Sequence, residues 1–115
     1  MTHTSKINEA GEMYTTTSGW ITCYDLFTLA GKYRGWKRYF ADKVYIILSG
    51  SCELTQEIDG EDTNTKLSPN DWVFKILSWT PHIFYFPEDT RMLEWFPEWT
   101  QSEDFERYRK LKQTK

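Results

Sequence analysis

In CELTQEI (52–58), Cys52, Leu54, Gln56 and Ile58 alternate with Glu53, Thr55 and Glu57. That period of two is the signature of a half-buried strand. WITCYDLFTL (20–29) is rich in β-branched and aromatic residues, and KVYIIL (43–48) is apolar on both faces, as a central strand would be. WVFKI (72–76), HIFYF (82–86) and RMLEWF (91–96) follow, separated by the turn-forming SPND, TP and PEDT. Asp59–Gly60 between two strand candidates predicts a hairpin. Short, evenly spaced strands with turn residues between them predict an all-β sandwich or barrel.

The one helix that the pattern predicts is C-terminal. Ser102 would cap it, with Glu103 and Asp104 in the first turn and Arg109, Lys110 and Lys112 toward its end, a charge order that suits the helix dipole. Phe105, Tyr108 and Leu111 would form its docking face. The expected layout is therefore an N-terminal arm or edge strand (1–18), a β-barrel (19–99), and a helix and tail (100–115) within the same domain.

A length of 115 residues suits one domain. Lys plus Arg is 14 against 17 Asp plus Glu, a formal charge of −3, which argues against nucleic acid as a partner. No run approaches the roughly 18–20 apolar residues that span a bilayer, so no membrane is expected. The polar N-terminus lacks the apolar core of a secretory signal, and a soluble cytoplasmic protein is the expectation. Cys23 and Cys52 lie in strand-like runs and are expected as reduced, buried thiols. Aromatic residues make up 17% of the chain, which calls for a ring-filled core or a stacking surface.

Gly31, Gly50 and the strand KVYIILSG, followed by NDWVFKILSWTPH, resemble the two signature motifs of the cupin superfamily of small β-barrels. The resemblance covers residues 20–97 and implies a cupin-like jelly-roll β-barrel with a small-molecule site at its open end, commonly as a homodimer. Asn70–Asp71 stands in place of the usual Gly-Asp, and His82 at the histidine of the second motif. In one frame the two histidines of the first motif become Lys37 and Tyr39. In the other they become Trp36 and Arg38. Lys43 replaces the glutamate in both.

One histidine beside a lysine cannot supply the three or so donors that a transition metal wants. A lysine about 4 Å from a divalent ion would add roughly 8 kcal/mol of repulsion at an effective dielectric near 20. The expectation is no metal and no cofactor.

In KYRGWKRYFADK (32–43), five cationic residues are interleaved with Tyr33, Trp36, Tyr39 and Phe40. In the orientation that the resemblance implies, Lys43, Tyr45 and Ile47 point inward. Period-two alternation puts His82, Phe84 and Phe86 on one face of their own strand. Candidate ligand-binding residues are then Trp36, Lys37, Arg38, Lys43, Tyr45 and Phe84; candidate catalytic residues are His82, Tyr39 and Glu94. Each has an ordinary alternative. The basic residues would form a solvated rim, the rings a core, and His82 a hydrogen-bonded core residue. Glu94 would either pair with Lys43 or His82 or lie on the polar face of its strand.

Three functions follow. The first is a metal-independent small-molecule-binding protein, its ligand anionic or carbohydrate-like. The second is a sugar-nucleotide isomerase or epimerase using His82 with Tyr39 or Glu94. The third is an interaction module with a filled barrel, using the threonine-rich arm, Trp99 and the terminal helix.

Overall fold

In the computed structural model, which describes residues 2–97 and 100–113, the chain forms eleven strands, one 3₁₀ turn and one helix. The strands are β1 (Thr2–Asn8), β2 (Gly11–Ser18), β3 (Ile21–Thr28), β4 (Lys32–Tyr39), β5 (Lys43–Ser49) and β6 (Cys52–Ile58). After them come β7 (Glu61–Leu67), β8 (Val73–Ile76), β9 (His82–Phe86), β10 (Thr90–Pro97) and β11 (Ser102–Asp104), then helix α1 (Glu106–Gln113). Two antiparallel sheets face each other, in the orders β1-β2-β3-β10-β5-β8 and β11-β4-β9-β6-β7. Leu26, Tyr45, Ile47, Leu54, Leu67, Ile76, Phe84, Phe86 and Met92 fill the space between them. The architecture is all-β and jelly-roll-like, as the strand pattern predicts.

Alternation sets which side chains enter. On β5, Lys43, Tyr45 and Ile47 are buried while Val44 and Ile46 are only partly so. On β9, His82, Phe84 and Phe86 are buried, and so is Ile83. The Asp59–Gly60 pair closes the β6–β7 hairpin with φ of 53° and 81°, the two positive values of a type I′ turn. Cys52 is buried and free, and Cys23 is partly buried and free, so neither serves a disulfide.

Three expectations need correction. Residues 2–18 are a full hairpin: β1 is the expected edge strand, exposed along its whole length, but β2 lies inside the six-stranded sheet. The basic, aromatic stretch after Gly31, to which the pattern assigns no element, is a strand: residues 32–39 form β4, hydrogen-bonded between β9 and β11. Ser102 does not cap the helix. Residues 102–104 form β11, held to β4 by Glu103 on Arg38 and by Asp104 on Lys37 at 3.5 Å, and the helix begins at Glu106. The acidic pair is used by cations across the strand instead of by the helix N-terminus. Of the expected docking face, Tyr108 is fully buried, whereas Leu111 is 44% exposed. Trp99 lies outside the described residues.

Candidate functional site

A cavity of about 180 Å³ lies between the sheets. The six-stranded sheet contributes Met13, Tyr24, Leu26, Met92, Glu94, Lys43 and Tyr45; the other contributes Arg34, Gly35, Tyr39, His82 and Phe84.

β4 reaches the cavity through a local irregularity. Its register with β9 shifts between Gly35 and Lys37, leaving Trp36 as an extra residue at φ 63°. Gly35 adopts φ 101°, and a Cβ there would lie 3.3 Å from the His82 carbonyl oxygen and 3.5 Å from its imidazole. Only glycine combines that backbone with that approach. The bulge brings the side chains of Arg34 and Tyr39 to the same cavity.

His82 is 1% exposed. Its Nδ1 lies 3.2 Å from the carbonyl oxygen of Thr80. A carbonyl only accepts, so Nδ1 carries the proton and Nε2 keeps the lone pair. The ring stacks on Tyr39 at 5.8 Å and meets Phe84 edge-on at 5.9 Å. Burial, and then the charge of Lys43, push its pKa down to about 3. His82 is a neutral imidazole at physiological pH.

Lys43 is 2% exposed and Glu94 8%. Their ion pair spans 3.5 Å, long for a charge-assisted hydrogen bond. The rest of the ammonium's surroundings are ring faces, with Tyr39 at 3.7 Å, Phe96 at 4.7 Å and Tyr45 at 5.6 Å. Burial lowers the Lys43 pKa, and Glu94 only partly opposes it.

Arg34 donates from Nε to Thr28 Oγ1 at 2.7 Å, while its Nη2 is buried without a hydrogen-bond partner. Burial lowers its pKa too. The Tyr45 hydroxyl is buried against Glu94, whose carboxylate acts on it through its field and a hydrogen bond. Burial first, and Glu94 second, raise the pKa values of Tyr39 and Tyr45, so both stay protonated. With His82 neutral, Arg34 and Lys43 outweigh Glu94 by one positive charge in the cavity wall.

Of the residues singled out from sequence, Tyr39, Lys43, Tyr45, His82, Phe84 and Glu94 converge on the cavity. Glu94 faces Lys43, resolving the alternatives left open for it. Three do not line it. Lys37 is drawn to Asp104, and Arg38 to Glu103 and over the Trp79 ring at 4.1 Å. The Trp36 carbonyl accepts from the Phe105 amide at 2.8 Å. Arg34 and Tyr24 join the wall unannounced. Alternation along β4 would have found Arg34 only if the strand and its bulge had been recognised.

Against solved structures, the chain matches oxalate decarboxylase of Bacillus subtilis. A point variant of that enzyme aligns with TM-score 0.72 and 14% identity over 83% of this chain and 27% of the other. The fold is that of the cupins. A two-residue deletion variant reaches TM-score 0.75 at 13% identity, over 89% of this chain and 30% of the other. A third structure, from a study of the Mn(II) centres of the same decarboxylase, gives 0.71 at 15% identity over 83% and 27%. This chain thus spans less than a third of the length of those cupins. No family model matches the sequence, and no curated protein sequence matches it.

The side chains around this lumen do not fit a manganese centre. Among the described residues, no three of His, Cys, Asp and Glu are grouped as metal ligands would be. The cavity wall offers His82 and Glu94 beside two cationic side chains.

Proposed function

We propose that this cupin fold is a metal-independent binding protein whose lumen takes a small anion of low charge. The observation that carries the reading is the buried, unpartnered donor Arg34 Nη2 in a cavity with one surplus positive charge. A buried donor left unsatisfied costs about 1–3 kcal/mol, more when charged, and an anion relieves that cost and the surplus charge together. A neutral sugar would satisfy the donor but leave the charge uncompensated, so the anionic reading is favoured over the carbohydrate one.

Two observations weigh against the alternatives. A base with a pKa near 3 is poorly matched to proton abstraction near neutral pH, which disfavours an isomerase built on His82. A cavity of about 180 Å³ has room for several waters, which disfavours a barrel filled solid. A homodimer belongs to the same proposal, because β1 ends its sheet fully exposed, a template for pairing with a second copy.

The test is calorimetry with acetate, lactate, oxalate and a neutral sugar at low and high salt, on wild-type protein and on Arg34→Met. Monocarboxylates are expected to bind best, and Arg34→Met to weaken them roughly tenfold or more, the loss of one charge-assisted bond. Stoichiometric manganese, iron or zinc in the purified protein, or affinity for the sugar alone, would overturn the reading.

A further inference from the structure

Lys43 brings a buried primary amine to the lumen, beside the Arg34 donor that the anion would engage. We infer that its amine captures a carbonyl: the lumen takes a small carboxylate bearing an adjacent aldehyde or ketone, a 2-oxo acid, and holds it as an imine on Lys43. This inference rests on the anion-binding reading, since the carboxylate of the 2-oxo acid is what Arg34 would seat.

Three features of the site carry it. Lys43 lines the same cavity as Arg34, so a carboxylate and a carbonyl on neighbouring carbons have separate partners within one small space. The amine is surrounded by the faces of Tyr39, Phe96 and Tyr45, which cannot accept its protons as oxygen atoms would. Its single carboxylate neighbour, Glu94, stands at 3.5 Å, near enough to exchange a proton and too far to hold the ammonium tightly. A lysine desolvated in this way is the type that serves as a Schiff-base amine. Burial lowers its pKa, and each unit of lowering raises the free-amine fraction at neutral pH about tenfold.

The step balances within the site. The Lys43 ammonium gives one proton to Glu94, and the free amine attacks the carbonyl carbon. A nitrogen proton moves to the carbonyl oxygen, giving the neutral carbinolamine. Glu94 then returns its proton to the carbinolamine hydroxyl, which leaves as water as the nitrogen lone pair forms the C=N bond. One ammonium and one carbonyl become one iminium and one water. The iminium keeps the positive charge opposite the Glu94 carboxylate, so the ion pair survives the chemistry. No oxidant, metal or further reactant is needed.

The experiment uses the intact protein with glyoxylate, and separately pyruvate, in the presence of cyanoborohydride, which reduces an imine to a stable secondary amine. The expected result is one carboxymethyl group from glyoxylate, mapped by mass spectrometry to Lys43 ahead of the surface lysines. Excess acetate, occupying the carboxylate seat, is expected to suppress it. Lys43→Arg keeps a cation opposite Glu94 and cannot form an imine, so it is expected to lose the adduct. Peptide mapping of the wild type answers the question even if that variant folds poorly.

Acetate binding by calorimetry separates the two readings. Acetate bound with no Lys43 adduct overturns the imine and leaves the anion site standing. Neither binding nor adduct overturns both. Labelling of Lys43 no faster than of the surface lysines, or unaffected by acetate, also overturns the imine.

Discussion

At the scale of single residues, His82 pairs a neutral core position with a polar identity. Its folded pKa of about 3 lies below the ordinary value of 6.5, so the unfolded chain takes up a proton that the folded one refuses. The contribution is fully present above pH 6.5 and is lost as pH falls toward the folded value. Stability should decline through that window by up to about 1.4 kcal/mol per pH unit from this residue. Urea denaturation of wild type and His82→Phe between pH 4.5 and 7.5 checks this, and the variant should show the shallower dependence. The inward placement of Lys43, Tyr45, His82 and Phe84 was legible because alternation needs only the strand to be right. Arg34 was not, since one extra residue after Gly35 breaks the count along β4.

Among the elements, α1 is the one least able to stand alone, for eight residues are too few for a stable isolated helix. It is fastened by Tyr108, whose hydroxyl donates to Asp62 at 2.6 Å, and by Arg107, which bridges Asp62 at 2.6 Å and Glu57 at 2.8 Å. Tyr108→Phe should cost about 1 kcal/mol for the lost bond, and Tyr108→Ala about 3–5 kcal/mol through the cavity it leaves. Chemical denaturation of both variants measures the difference; equal losses would mean that the hydroxyl, not the ring, holds the helix. The helix itself could be read from its residues, and its start could not. Glu103 and Asp104 satisfy both a helix N-terminus and a strand facing Arg38 and Lys37, and only the tertiary pairing decides between them. The interleaved charges that suggested a solvated rim are what a strand with a polar edge partner looks like in one dimension.

For the whole molecule, the open question is what becomes of the edge formed by β1. Its residues are exposed on both faces, Ile7 at 74%, and in the described residues it pairs only with β2. Light scattering of the purified chain should give the mass of two copies. Proline at Ser5 or Ile7, whose N–H groups face away from β2, removes an edge donor and should shift it toward one. A monomer at high concentration would argue against β1 pairing. The jelly-roll frame was legible because turn residues and alternating runs recur along the whole chain. The identity of the lumen's occupant was not, because it depends on which polar atoms remain unsatisfied after folding.

Every wall residue of the lumen belongs to one sheet or the other, with no loop acting as an intermediary. Whatever lodges there therefore works as mortar between two slabs. Filling the chamber should stiffen the whole sandwich, and emptying it should let the halves breathe against each other.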